Sequence, residues 1–277
     1  MEATACYPGS IGEIIQGSAQ GQDILVSCPI NLYTEVKVFE STKPNNKYKY
    51  EKSAVFLNNI ITSWGYESYE KTLDFKICSE IPKGKGFASS TADLCALYYA
   101  LLKLFNKQFN EVELIKECIK IEPTDSILFK EMTMFDYKAG SFYEVLGRYL
   151  KFSILVFEGS NIVNTIEFNK RAILPQKNIE DLIPALKKGL IEKDIRKIGT
   201  VSTESIIRNQ HRLRYDFLED IIEVSSNYGG LGVIGAHSGD CLGIIFEDEE
   251  KMNYVKRHNK YKDAYKIYTV NTVDIKS

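Results

Sequence analysis

The stretch Pro82-Lys83-Gly84-Lys85-Gly86-Phe87-Ala88-Ser89-Ser90-Thr91-Ala92 constrains this chain more than any other. Before it, Leu73–Cys78 (LDFKIC) alternates in polarity as a strand does, and after it Ser89 to about Phe105 reads as one helical run. A strand, a glycine-bearing loop and a helix opened by three hydroxyl residues must follow one another. That order sets a helix N-terminus, with its orphan N–H groups and positive dipole end, against backbone free of bulky side chains. Such a construction binds anions, triphosphates among them. Gly84 and Gly86 provide the bare backbone. Ser89, Ser90 and Thr91 put hydroxyls on the first turn, within reach of phosphate or Mg²⁺, and Lys83 and Lys85 are the candidates for neutralising charge. The same residues also suit a surface turn followed by a plain N-cap. The pattern is neither G-x-x-x-x-G-K-[ST] nor G-x-G-x-x-G, which disfavours a P-loop NTPase.

Around this loop strands and helices interleave without a strict βαβ rhythm, so the expected class is α+β in two layers. Asp23–Ser27 and Asn31–Phe39 alternate in polarity, and the first 80 residues read mainly as strands with a polar hairpin tip over Ser41–Lys52. Around Trp64 and Tyr69 no pattern dominates. A helix fits Asn110–Ile121, with Asn110 as cap and Glu113 at the third position of a capping box, and Pro123 ends it. Lys151–Phe157 is a near-continuous apolar strand that opens a second half. The expected division is therefore 1–150 and 151–277. Helical patterns run from Glu180 to about Asn227, and the glycines of Gly229–Ala236 punctuate the chain. A strand at Cys241–Phe246, a charged helix near Asp248–His258 and a strand near Lys266–Val270 complete it.

Charge excludes some partners. The net charge of -2 comes from 35 basic and 37 acidic residues scattered without long runs. Nucleic acid and anionic membranes are thus unexpected, and small molecules are the natural ligands. No window approaches the roughly 20 apolar residues of a membrane helix, and no basic segment followed by an apolar stretch opens the chain. Six dispersed cysteines without a C-x-x-C pair read as free buried thiols in a cytoplasmic protein, whether monomer or homodimer.

The segment Ile81–Ala92 resembles the P-x-x-x-G-[L/M]-x-S-S-[A/T] signature of the GHMP kinases, the superfamily of galactokinase, homoserine kinase and mevalonate kinase. Pro8-Gly9-Ser10-Ile11-Gly12-Glu13 is similar to its N-terminal motif, which borders the substrate site. Gly235-Ala236-His237-Ser238-Gly239-Asp240-Cys241 is similar to its C-terminal glycine motif, which packs near the phosphate loop. The resemblance implies the GHMP kinase fold, with an N-terminal domain like ribosomal protein S5 domain 2 and a ferredoxin-like C-terminal domain. It also implies ATP and Mg²⁺, with Pro82, Lys83, Gly84, Lys85, Gly86, Phe87, Ala88, Ser89, Ser90 and Thr91 around the nucleotide.

Phosphoryl transfer further needs acids, to hold the metal and to orient or deprotonate the acceptor. Glu122 and Asp125 stand just beyond the helix that follows the loop. From the residues alone they also suit a solvated helix end and a turn cap. The family resemblance gives Glu122 and Ser90 the Mg²⁺ and Asp125 the role of base, with Asp136 as a rival base. Within the superfamily, Cys6–Gly17, Gly84–Asp93, Glu122–Ser126 and Gly235–Gly239 together resemble the L-threonine kinases, which make O-phospho-L-threonine for the aminopropanol linker of cobalamin. Glu13 and Gln16, with His237, Ser238 and Gly239, then become the expected substrate contacts, Glu13 meeting an ammonium group. Homoserine kinase, another small-alcohol kinase and a non-catalytic nucleotide-binding regulator are the alternatives. The intact Ser89, Ser90, Glu122 and Asp125 argue against the last. His237 reads as a hydrogen-bonded histidine rather than a base, and Arg208, Arg212 and Arg214 as a solvated helix face rather than a carboxylate grip.

Overall fold

Alternation runs longest at the N-terminus, and the longest strands form there. In the computed structural model, which describes residues 1–161, 174–258, 260, 261 and 263–275, β1 (Glu2–Ala19) and β2 (Gln22–Glu40) pair as one antiparallel hairpin. The two strands expected over Asp23–Ser27 and Asn31–Phe39 are a single strand that runs through Pro29. Pro29 opposes Ser10 at a register shift of β1, where the ladder is already broken and a missing N–H costs little.

The remaining strands among the described residues are β3 (Leu73–Ser79), β4 (Met132–Asp136), β5 (Tyr143–Gly147), β6 (Ser153–Glu158), β7 (Gly232–Gly235), β8 (Cys241–Phe246) and β9 (Lys266–Asn271). All join a nine-stranded sheet in the order β5-β4-β2-β1-β7-β8-β6-β9, with β3 pairing additionally to β2. Among the described residues the strands of the two halves of the chain pair at Glu13 opposite Gly235, and isolated bridges join Ser18 to Asn178 and Ile30 to Thr272. Gly232–Gly235, expected only as punctuation, is thus the strand that closes the joint.

Seven helices among the described residues cover the sheet: α1 (Glu51–Ser63), α2 (Ser89–Phe105), α3 (Glu111–Ile121), α4 (Leu182–Glu192), α5 (Ile195–Asn209), α6 (Leu218–Asn227) and α7 (Glu249–His258). The first 80 residues are mainly strand, as expected, and α1 is the helix that the sequence left unassigned among them. Phe56, Leu57, Ile60 and Ile61 form its buried stripe, and its polar opening residues merge in sequence with the turn before it. α2 is apolar around most of its circumference and is enclosed accordingly. Leu94, Leu97 and Leu101 are fully buried, and each stabilises the fold by about 1.5–3 kcal/mol. α3 carries half of its capping box: Asn110 accepts from the Glu113 N–H at 3.2 Å. The Glu113 carboxylate turns instead to Trp64 Nε1 and the Tyr98 hydroxyl, at 3.0 and 2.7 Å.

Strand period places alternate residues in two cores. Ile154 and Val156 of β6 face the main core around α2, whereas Leu155 and Phe157 face a second cluster under α6 and α7. All six cysteines are free; four are buried, while Cys6 and Cys78 are exposed, against the expectation of burial throughout. No helix among the described residues is long and apolar enough to cross a membrane.

Candidate active site

The phosphate-loop segment is held from behind by both flanking motifs. Register shifts between Pro8 and Ile15 lift β1 out of its ladder, so that Ser10 N–H reaches the Phe87 carbonyl at 3.0 Å and Gly12 N–H the Gly86 carbonyl at 2.9 Å. From the other motif, Asp240 N–H donates to the Lys85 carbonyl at 3.1 Å. In planar trans peptides the N–H groups of Gly86, Phe87 and Ala88 run opposite to these carbonyls, away from the two motifs. Close approach accounts for the glycines. A Cβ on Gly86, at φ +85°, would lie 2.1 Å from the Ala236 Cβ, and one on Gly239 would lie 2.2 Å from the Lys85 carbonyl oxygen. Ala88 adopts a left-handed conformation (φ 53°, ψ 31°), which costs a non-glycine residue about 1–2 kcal/mol. It starts α2 at the edge of a cleft lined by Gly84, Gly86, Phe87, Ala88, Ser89, Ser90 and Thr91. The first-turn N–H groups of α2 have no helical carbonyl to meet.

Pro123 shapes the acidic side. A residue before proline is driven out of helical backbone, and Glu122 is fully extended (φ −170°, ψ 166°) at the end of α3. Its side chain, only 8% exposed, thereby reaches α2 and α1: the Ser90 hydroxyl donates to Oε1 and the Lys52 ammonium to Oε2. Asp125 lies further along the same extended segment. Its N–H donates to Thr91 Oγ1 at 3.1 Å, fastening it to the loop's helix, and its Oδ1 accepts from Ile127 N–H at 3.2 Å. Burial, and next the negative charge of Glu13, push the Asp125 carboxyl up to about 7. Asp136, the rival, is occupied elsewhere. Its two oxygens accept from the N–H groups of Lys138, Ala139 and Ser141 and from the Ser141 hydroxyl, closing the β4–β5 turn, and it does not line the cleft.

The opposite wall is a chain of buried polar groups. Glu13 Oε2 accepts from His237 N–H and from His237 Nδ1, at 2.8 and 2.9 Å. His237 Nε2 lies 3.0 Å from Ser205 Oγ, which in turn accepts from Gln16 N–H at 3.0 Å. Because a carboxylate only accepts, His237 Nδ1 carries a proton toward Glu13. Glu13 Oε1 takes no hydrogen bond from a described residue and borders the cleft with Gln16, Tyr137 and Ser238.

The structure therefore gathers Glu13, Gln16, Gly84, Gly86, Phe87, Ala88, Ser89, Ser90, Thr91, Glu122, Asp125 and Ser238 on one cleft. Pro82, Lys83, Lys85, His237 and Gly239 stay off its wall. Lys83 is exposed with its ammonium 5.5 Å from the Tyr50 ring, and Lys85 is buried with its ammonium on the Gly159 and Asn161 carbonyls. Lys85 is thus a strut between the halves rather than a phosphate neutraliser. His237 is fully enclosed and reaches the cleft only through its hydrogen bonds to Glu13. Arg208 is consumed by Asp181 and Glu204, and Arg214 lies exposed beside Asp216. Three participants have no motif: Lys52, Ser205 and Tyr137. The alternation that sends Asp136 into its turn would send Tyr137 to the other side, the one signal available for any of them.

An alcohol-phosphorylating kinase requires such parts, and similarity to known proteins agrees. The family models "GHMP kinases N terminal domain" and "GHMP kinases C terminal" match residues 54–129 and 182–262, together more than half of the chain. The chain belongs to the GHMP kinase family. It is 26% identical over 264 residues to an L-threonine kinase of Citrobacter freundii, covering 92% of this chain and 90% of that protein. It is 28% identical over 254 residues to an L-threonine kinase of Salmonella typhimurium, covering 88% and 83%. The crystal structure of Methanococcus jannaschii mevalonate kinase superposes with a TM-score of 0.71 at 16% identity, covering 99% of both chains, and confirms the fold.

The donor set at Ser90 and Glu122 fits Mg²⁺. Hard oxygens from one hydroxyl and one carboxylate meet at the cleft wall, and no cluster of three His, Cys, Asp or Glu that could hold a metal occurs among the described residues. Magnesium shared between a carboxylate and substrate phosphates needs no fuller cage.

Proposed function

We propose that the protein transfers the γ-phosphoryl group of ATP to the side-chain hydroxyl of L-threonine, giving O-phospho-L-threonine for the aminopropanol linker of cobalamin. The observation that carries this reading is Asp125, an acid fastened to the phosphate-loop helix through Thr91 and raised into the range of a working base by burial and Glu13. The relatives that share about nine-tenths of the chain supply the acceptor. The setting is the cytoplasm, where free thiols persist.

The loop's N–H groups and the first turn of α2 cradle the phosphates. Ser90 and Glu122 would hold Mg²⁺, which neutralises charge on the β- and γ-phosphate oxygens when bound. The threonine hydroxyl attacks the γ-phosphorus, the bond to the β-phosphate oxygen breaks, ADP departs and the hydroxyl proton passes to Asp125. Glu13, fixed by His237, turns its open oxygen to the ammonium group of the acceptor.

ADP release measured with L-threonine, L-serine, L-homoserine and mevalonate tests this. L-Threonine should give the highest kcat/KM, about 10-fold or more above L-serine, which lacks one methyl group. Preference for homoserine or mevalonate would reassign the acceptor. ATP binding without transfer to any of them would establish the regulator instead.

A further inference from the structure

Tyr137 directly follows β4 and is 4% exposed, yet it borders the cleft beside Glu13 and Gln16. Two side-chain amides donate to its oxygen, Gln16 Nε2 at 3.1 Å and Gln176 Nε2 at 2.9 Å. A phenol offers two acceptor positions and one proton. Both acceptor positions are filled, and the proton meets no acceptor among the described residues. A buried donor left unmatched is costly, which makes a ligand its natural partner. Burial also raises the hydroxyl's pKa, so the proton remains in place through the physiological range.

The neighbours offer acceptors. Gln16, with Nε2 committed to Tyr137, keeps Oε1 as an acceptor, and Glu13 keeps Oε1. A hydroxyl donor thus stands beside two acceptors on one wall of the cleft, the complement of a carboxylate next to an ammonium.

We propose that Tyr137 is a specificity-determining residue: its hydroxyl donates to the α-carboxylate of the acceptor while Glu13 and Gln16 take the ammonium. The inference rests on the amino-acid reading above and goes beyond it in naming the group that rejects amino alcohols. A purely structural Tyr137, bracing Gln16 and Gln176, would weaken all acceptors and the ATP site alike.

The experiment compares wild type and Tyr137→Phe on L-threonine and on 1-amino-2-propanol, which keeps the ammonium and hydroxyl but lacks the carboxylate. Where the amino alcohol turns over too slowly to follow, its inhibition constant against L-threonine replaces kcat/KM. In Tyr137→Phe, kcat/KM for L-threonine should fall about 10- to 100-fold, the worth of one hydrogen bond to a charged group. The value for 1-amino-2-propanol should move less than about 2-fold, and the KM for ATP should not change. Equal losses on both compounds, or none, would overturn the proposal. So would a wild type that accepts both compounds equally well, a result independent of whether the variant folds. Failure of the wild type to phosphorylate L-threonine would instead bring down the acceptor reading itself.

Discussion

In the proposed reading, the phosphate end of the cleft is built on main chain, nearly all of it from the one short run Gly84–Thr91. The proposed acceptor end is built of side chains drawn from β1, from the end of β4 and from the turn after β7, braced by Ser205 of α5. The first end is specified by backbone shape and by the absence of Cβ atoms. The second is specified by which donors and acceptors the surrounding chain leaves unmatched. Substitutions should therefore act differently: the phosphate end tolerates changed side chains but not changed backbone, and the acceptor end the reverse. Glu122 and Asp125 stand between the two and belong to neither pattern.

The largest effects belong to that middle ground. Glu122→Gln should lower kcat by about 10³-fold, because Mg²⁺ held at Ser90 and Glu122 would supply several kcal/mol of transition-state charge stabilisation. A kcat unchanged in this variant would remove Glu122 from the metal. Asp125→Asn should cost about 10²- to 10⁴-fold, the range for a general base. Asp136→Asn should instead leave kcat nearly intact and reduce stability by about 1–3 kcal/mol through its lost turn contacts. The opposite ranking would exchange their roles.

Gly86→Ala sharpens the contrast between the ends. Its Cβ would meet Ala236 at 2.1 Å with φ at +85°, so we expect a loss of about 2–5 kcal/mol in stability and a raised KM for ATP. Removing the neighbouring Lys83 ammonium, which lies over Tyr50, should change ATP affinity little.

The smallest effect is a shift with pH. The folded Asp125 carboxyl titrates at about 7, so kcat/KM should fall below that pH as the base becomes protonated. Glu13→Gln removes a negative charge that raises this value, and the acid limb should move to lower pH. Stability runs the other way. The unfolded carboxyl releases its proton near 3.8, whereas the folded one holds it to about 7, so rising pH between these values favours unfolding. An acid limb that ignores Glu13→Gln would uncouple the two carboxylates.

The two ends also differed in how far the sequence disclosed them. A contiguous cradle writes itself as a motif, and Gly84, Gly86 and Ser89–Thr91 were legible for that reason. The pre-proline position of Glu122 and the capping residue Asn110 were legible too, because each acts on its own backbone. Lys85 misled: its neighbourhood is set by the Gly159 and Asn161 carbonyls, far along the chain. Lys52 was hidden because α1 opens on the same polar residues that end a turn. Ser205 and Tyr137 gain meaning only when β1, β4 and α5 converge, and no local spacing encodes that convergence.

The central claim is phosphoryl transfer to threonine within this cleft. Its most direct test is phosphorus NMR of the protein with ATP, Mg²⁺ and L-threonine. The account predicts a new O-phospho-L-threonine resonance that grows in step with ADP, and that is absent with Glu122→Gln. ADP that forms without this product, or the same product from Glu122→Gln at an undiminished rate, would contradict it.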